Sequence, residues 1–347
     1  MVRVGIVGIG FMGMIHYLAW QRVRGAKVVA ISTRDKARLA GDWRGIQGNF
    51  GPAGTQMDLA RVQRYADVAE LLADDKVDLV DICLPPALHA SVARAALAAG
   101  KHVLCEKPIA LSLPEAEAMR RAAEKAKRLL LVAHVLPFFP EFAAALKLVQ
   151  SGRYGALLGG HFKRIISDPL WIKDFYDPRT VGGPVVDLHI HDAHFIRLLA
   201  GMPQVVSSTG RLRGEVVEFI NSQFFYGDGG PTITATGGVI RQQGRPFTHG
   251  FEIYLERATL VYDFAAFATA PARTPLTVLS ADGKVTQPTL GSDDPLDVFA
   301  AQLGEAARSI KKNEPSAVLS GDLACDALKL CQRETESVRK GKPVRVV

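Results

Sequence analysis

The stretch Val2–Gly13, VRVGIVGIGFMG, decides how the first part of this chain folds. It opens with a short apolar run of the kind that forms a strand buried on both faces. The run ends in Gly8-Ile9-Gly10-Phe11-Met12-Gly13, which fits G-x-G-x-x-G, and residues 11–22 then read as a helix. A strand before the glycines and a helix after them turn a weak pattern into a specific one. Gly8 permits the tight turn, Gly10 lets a pyrophosphate approach the backbone, and Gly13 permits close helix–sheet packing. The helix N-terminus offers amide N–H groups and the positive end of its dipole to phosphate. The motif predicts a dinucleotide site whose phosphate end is Gly8, Gly10, Phe11, Met12 and Gly13.

Working outward, KVVAIS at 27–32, DLVDICL at 78–84, HVLCE at 102–106 and LLLVAHV at 129–135 read as further buried strands. Helical stretches at 34–40, 67–73, 86–99 and 112–127 separate them. Such alternation implies a parallel sheet with right-handed crossovers. The Gly-rich, aperiodic residues 41–58 read as a surface loop. After Pro137 and Pro140 the pattern changes to a helix at 141–151 and strands at 156–166, 205–212, 217–226, 232–242, 249–256 and 258–264. A helical stretch at 185–200 interrupts them, and 295–340 reads as two helices joined near Asn313-Glu314-Pro315. The expected fold class is α/β: a doubly wound parallel Rossmann domain over 1–135, then an α+β domain over 136–347 with a mostly antiparallel sheet.

At 347 residues, 48% apolar and 22% charged, the chain has ordinary globular composition. Its net charge of +7 comes from Lys and Arg scattered among acids, so a nucleic-acid partner is not expected. No apolar run approaches the roughly 20 residues that span a bilayer. The N-terminus lacks the layout of a signal peptide, so a cytoplasmic location without membrane partners is expected. The cysteines at 83, 105, 325 and 331 form no C-x-x-C pair and read as reduced structural residues.

The second strand ends at Ile31-Ser32-Thr33-Arg34-Asp35. Proteins that bind NAD usually carry an acid at this tip for the ribose 2′-hydroxyl. Here Ser32, Thr33 and Arg34, with Arg38 one turn on, suit a 2′-phosphate, so NADP is favoured over NAD; Asp35 keeps NAD open. Ligands of open α/β sheets bind beyond the carboxyl ends of strands. Leu84, Pro85 and His89 after the third main strand, and Glu106 and Lys107 after the fourth, are therefore further cofactor candidates.

With GIGFMGMIH, PPALH, GKHVLCEKPIAL, GGPVVDLHIHDAHFIRLLAG and SGDLACDALKLCQRETESVRKGKPVRV in view, the chain resembles the glucose–fructose oxidoreductase/inositol dehydrogenase/MocA family. The likeness covers nearly the whole length. Glu-Lys-Pro together with Gly-Gly-x-x-x-Asp-x-x-x-His is its specific part. The resemblance implies a large open sheet in the second domain, often carrying oligomer contacts, and hence a homodimer or homotetramer. It implies hydride transfer between a nicotinamide cofactor and a small-molecule sugar, polyol or related hydroxy or keto compound. It also puts Lys107, Asp187 and His191 on the family's catalytic positions.

The residue chemistry agrees with those roles. Asp187 and His191 are four apart on an expected helix, hence on one face. His191 can exchange a proton near neutral pH. Lys107 can stabilise developing alkoxide charge. Glu106 reads as a partner of Lys107 or of cofactor ribose. His134, Trp171, Lys173 and His194 are candidate substrate contacts. Pro137 stands where many relatives have arginine, which leaves the substrate open.

Three rivals follow from the same residues. One is an enzyme that holds NAD tightly and runs internal redox, including glycoside cleavage. Another is a cofactor-sensing binding protein without catalysis. The third reads His189 and His191 as a metal pair, but the Gly-Gly-Pro before them marks a helix start, and no metal is expected.

Overall fold

The computed structural model describes residues 1–48, 50–172, 174–292 and 294–347. In chain order the elements begin β1 (Val2–Val7), α1 (Phe11–Trp20), β2 (Ala26–Ser32), α2 (Lys36–Leu39), β3 (Gln63–Tyr65) and α3 (Val68–Ala73). Next come β4 (Leu79–Ile82), α4 (His89–Ala98), β5 (His102–Cys105), α5 (Leu113–Ala126), β6 (Leu130–Val132), α6 (Pro140–Gln150) and β7 (Leu157–Ser167). A π-helical turn at Val185–His189 leads into α7 (Ile190–Ala200). Strands β8 (Val205–Arg213), β9 (Val216–Phe225), β10 (Thr232–Ile240), β11 (Phe247–Leu255), β12 (Ala258–Ala266), β13 (Pro271–Ser280) and β14 (Val285–Thr286) follow. The chain closes with α8 (Pro295–Lys312), α9 (Gly321–Lys340) and β15 (Val344–Arg345).

Two compact units result. The first gathers Met1–Phe138 and Ser292–Cys325, the second Phe139–Gly291 and Asp326–Val347. Residues 292–325, which the sequence pattern groups with the C-terminal domain, therefore cluster with the N-terminal unit. The reason is apolar: Leu296, Phe299, Leu303 and Ala306 of α8 join the buried cluster of Ile9, Ile15 and Trp20.

The first unit is a six-stranded sheet in the order β3-β2-β1-β4-β5-β6 with every pair parallel. This is the doubly wound arrangement expected, and it reverses direction at β1/β4, where such sheets bind ligands. Residues 41–58 are not merely a surface loop. Trp43 is fully buried with its Nε1 donating to Arg38 O at 2.8 Å, and Ile46 is buried beside it. Polar and Gly-rich flanks hid these two anchors from a reading of periodicity.

The second unit is a nine-stranded sheet in the order β14-β13-β12-β11-β7-β10-β9-β8-β15. All its pairings are antiparallel except β7 with β10. Strand β13 was not apparent from sequence; its Pro271 and Pro275 read as breakers, yet they lie on a strand near the sheet edge, where a missing N–H is tolerated. The core packs Phe142 edge-on against Phe195 and Phe251. Arg164 and Asp192 are both buried and paired at 2.8 and 3.1 Å.

His249 of β11 is buried among Phe142, Phe247, Tyr262 and Phe264. Burial, reinforced by the Arg164 and Arg273 charges, holds its pKa well below the ordinary histidine value. A depressed histidine is neutral in the fold and takes up a proton on unfolding. Its contribution to stability is full above about pH 6.5 and is lost as pH falls toward the folded-state value. Unfolding titrations of wild type should lose about 1.4 kcal/mol per pH unit more steeply below pH 6.5 than those of His249→Gln. Parallel curves would show that this ring does not titrate on unfolding.

Candidate functional site

The three motif glycines are held by different constraints. Gly8 has φ +95°, and a Cβ there would stand 2.6 Å from Cys83 O. A Cβ on Gly13 would stand 2.0 Å from Gly8 O. Around Gly10 nothing lies within 4 Å of a built Cβ, so this glycine is not demanded by packing and faces open space. Gly10 is also the N-cap of α1, with no side-chain cap and no acid in the first turn. Uncapped amides beside an open cradle suit a pyrophosphate. Phe11 and Met12 are half-buried, and Phe11 packs edge-on against Phe50 at 4.8 Å.

At the tip of β2, Ser32 is buried and its carbonyl accepts from Gly8 N–H at 2.9 Å, so its main chain braces the glycine turn. Thr33 is half-buried and Arg34 exposed. Asp35 caps α2: its Oδ1 accepts from the N–H of Ala37 at 2.9 Å and of Arg38 at 3.1 Å. Its other oxygen lies 3.3 Å from Arg38 Nε. The Arg38 side chain crosses to the glycine loop, where Nη1 donates to Ile9 O at 2.7 Å. The acid that kept NAD open is thus occupied in capping, and a guanidinium borders the loop.

At the tips of β4 and β5, Leu84 is half-buried over Gly8 and Pro85 is exposed. His89 is different from the cofactor contact expected. It is fully buried, with Nδ1 2.8 Å from Pro108 O and Nε2 2.8 Å from Leu84 O. It clamps the β4 tip to the Lys107-Pro108 segment, whose linking peptide is cis. Burial lowers its pKa despite the two carbonyls. Within residues 103–110 every residue is buried except Lys107, which is half-buried.

Behind Lys107 lies a buried polar group that the motif reading missed. His16 Nδ1 sits 2.9 and 3.0 Å from the two oxygens of Asp81, which also accepts from Trp20 Nε1 at 2.8 Å. His16 Nε2 stands 3.0 Å from Glu106 Oε1, in ion-pair range without hydrogen-bond alignment. Burial disfavours the charged ring, but Asp81 and then Cys83 outweigh it and raise its pKa well above the usual value. The Cys83 thiol, 3.4 Å from His16 Nδ1, is pushed up to about 12 by burial and Asp81. It stays protonated at neutral pH, so although His16, Asp81 and Cys83 lie within 4.8 Å of one another they make a poor cation site. An aspartate inside the apolar run DLVDICL was the one sequence signal for this group.

In the second unit Gly182 and Gly183 take φ of +91° and +77°, and Pro184 starts the π-helical turn. That turn packs on β9 and β10, where Gly237 leaves room for His189. His189 Nε2 meets buried Glu334 at 2.9 Å, and Asp192 is taken by Arg164. Within residues 183–196 every residue is buried except Asp187 and His191. Of the substrate candidates, His194 and His134 are buried, Trp171 is 68% exposed, and Lys173 lies outside the described residues.

Two family models match this chain. An oxidoreductase-family model with an NAD-binding Rossmann fold matches residues 2–134, and the GFO/IDH/MocA C-terminal domain matches residues 142–261. The chain belongs to the GFO/IDH/MocA oxidoreductase family. A D-xylose 1-dehydrogenase (NADP(+)) of Haloferax volcanii is 28% identical, with 89% of each protein covered. A 1-carboxy-3-chloro-3,4-dihydroxycyclohexa-1,5-diene dehydrogenase of Comamonas testosteroni is 31% identical over 57% of this chain and 47% of its own length. The matches span about half the length of several such relatives. The fold is shared with levoglucosan dehydrogenase solved with NADH and levoglucosan, at TM-score 0.79 and 21% identity over 99% of both chains. Among the described residues no helix is long and apolar enough to cross a membrane.

The family's glycine motif can be dissected here by single methyl groups. Gly13→Ala should cost about 1–3 kcal/mol of stability by overpacking against Gly8 O. Gly10→Ala should leave the melting temperature within about 2 °C of wild type yet weaken dinucleotide binding about tenfold or more. Thermal melts and a dinucleotide titration of both variants check this; equal binding by Gly10→Ala would mean that the open cradle is not where phosphate sits.

Proposed function

We propose that this chain is an NAD(P)-dependent dehydrogenase or reductase acting on a CH–OH carbon of a sugar, polyol or related hydroxy or keto compound, with NADP as the preferred cofactor. The observation that carries the reading is selective exposure. In the two specific family segments, packing leaves Lys107, Asp187 and His191 accessible and buries their neighbours. The dehydrogenase names of relatives, one of them specified for NADP(+) and D-xylose, support the substrate class and the cofactor.

Gly8, Gly10 and Gly13 with the first amides of α1 would hold the pyrophosphate, and Thr33, Arg34 and Arg38 the adenosine ribose and its 2′-phosphate. When bound, the nicotinamide accepts or donates the hydride. In the oxidation direction His191 takes the proton of the reacting hydroxyl, and in reduction it returns one. Lys107 donates a hydrogen bond to the reacting oxygen and stabilises its developing negative charge. Asp187 orients His191 or a neighbouring substrate hydroxyl. The guanidinium charges of Arg34 and Arg38 distinguish a 2′-phosphate from a 2′-hydroxyl.

A panel of sugars, polyols and keto derivatives with NAD(H) and NADP(H), read at the reduced nicotinamide absorbance band, tests the reading. With the best substrate, Lys107→Ala and His191→Ala should each lower kcat/KM about 100-fold or more. Near-wild-type turnover in both would overturn the assignment. Arg34→Ala should raise the Kd for NADP about tenfold while leaving that for NAD nearly unchanged. A tenfold preference of wild type for NAD would overturn the cofactor choice.

A further inference from the structure

The buried group around His16 is larger than packing needs. His16 is on α1, Asp81 on β4, and Glu106 at the end of β5, so three elements converge on one imidazole. His16 and Asp81 are fully buried and Glu106 nearly so. Phe299 of α8 covers the imidazole from another side at 5.9 Å. Both ring nitrogens stand toward carboxylates; Nδ1 is aligned on Asp81 as a donor, and Nε2 meets Glu106 at ion-pair distance only. The far carboxylate does not end the chain of contacts: Glu106 Oε2 accepts from the main-chain N–H of Lys107 at 3.1 Å. The path therefore runs from a buried carboxylate, through a cation, to a second carboxylate, and on to the peptide that presents Lys107.

We propose that His16 is a positioning residue for Lys107: a buried imidazolium held by Asp81 that holds the Glu106 carboxylate in place, and through Glu106 fixes the backbone from which the Lys107 ammonium projects. This rests on the oxidoreductase reading for the role of Lys107, but the charge state of His16 can be tested apart from it. A buried ion cluster is weak as a source of stability, because desolvation offsets most of the attraction. Its value lies in fixing geometry. His89, which lies near both Glu106 and Lys107, stands 2.8 Å from the carbonyl of the following proline. The charged and titratable groups around Glu106 include His16 from α1, Asp81 of β4 and Cys83 just after it, His89 from α4, and Cys105 and Lys107 along its own chain. His16 is placed to be the cation among them that lies between two carboxylates. Removing it takes away the positive charge between two carboxylates, and losing a buried cation moves the titration of acids near it upward.

The experiment has two arms. In the first, long-range 1H–15N spectra of histidine-labelled wild-type protein, with or without bound dinucleotide, should show an imidazole still doubly protonated well above the pH at which an ordinary histidine titrates. Asp81→Asn should abolish that signal and so assign it. A His16 ring that titrates like an ordinary histidine, or is already singly protonated at neutral pH, overturns the proposal whatever the activity. In the second, pH profiles of kcat/KM are compared for wild type, His16→Gln and Asp81→Asn, alongside their melting temperatures. Positioning through Glu106 predicts a kcat lowered about tenfold or more, with the acid limb moved up by about one pH unit, in both variants. Lower melting temperatures with unmoved pH limbs would mean that His16 only fills the core, and would overturn the proposal. If His16→Gln fails to fold, Asp81→Asn alone decides, since an amide keeps the shape and removes the charge. Wild type that binds no dinucleotide would strike the oxidoreductase reading instead, and the spectra would still judge His16.

Discussion

The approach of α1 to β1 is the constraint on which the rest of the first unit depends. No methyl group fits between Gly13 and the carbonyl of Gly8, so the helix begins almost on top of the strand it follows. That closeness carries His16, one turn further on, to Asp81 and Glu106 at the tips of the neighbouring strands. It also turns the uncapped amides at Gly10 toward open space rather than toward protein. A helix displaced outward by the width of a methyl group would lose the buried imidazole contacts, whose lengths are 2.9 to 3.0 Å. Packing and electrostatics in this unit are therefore one arrangement.

The surrounding segments are organised to hold that arrangement still. The loop at 41–58 is Gly-rich, yet Trp43 anchors it and donates to the Arg38 carbonyl. The Arg38 side chain in turn donates to Ile9 O inside the glycine motif. Phe50 of the same loop stacks on Phe299 at 5.5 Å and meets Phe11 edge-on. Aromatic stacking of this kind adds direction to apolar burial. On the opposite flank the buried His89 ring sits 2.8 Å from main-chain carbonyls of two different segments, and as a neutral imidazole it donates to one of them. Loops that carry function are usually mobile; these are tied by buried side chains to a rigid sheet, as a precise binding site requires.

How much of this was legible in sequence depended on whether the signal was local. The glycine motif and the parallel strands are short-range patterns, and the structure carries both; the helix expected at 185–200 is instead a π-helical turn holding Asp187 followed by the α-helix holding His191. The sheet order follows from right-handed crossovers once the strands are known. His16 and Asp81 were not legible as a pair, because 65 residues separate them and the aspartate inside DLVDICL does not identify its partner. His89 stood at a strand tip, where cofactor contacts cluster, but nothing local reveals that both its nitrogens face carbonyls. Strand β13 was hidden by prolines that an edge position tolerates. Residues 292–325 follow the second sheet in sequence and join the first unit through an apolar face whose partner is almost 300 residues away.

The segment HIHDAH shows how packing gives chemically similar side chains unequal surroundings. His189, His191 and His194 have the same intrinsic chemistry, and sequence alone offers three imidazoles. The fold assigns them unequally. His189 is spent on Glu334, beneath the sheet glycine that makes room for it, and its pKa is raised by that carboxylate against the opposing effect of burial. Asp192 is spent on Arg164, so the nearest acid on α7 is also withdrawn. His194 is sealed inside the unit. The wide turn before α7 sets this register. A slip of one residue would turn His191 into the core and expose Ile190, at the cost of burying a polar ring and wetting an apolar one. The same burial that stabilises the second unit thus leaves Asp187 and His191 half-buried, while every other residue from 183 to 196 is buried.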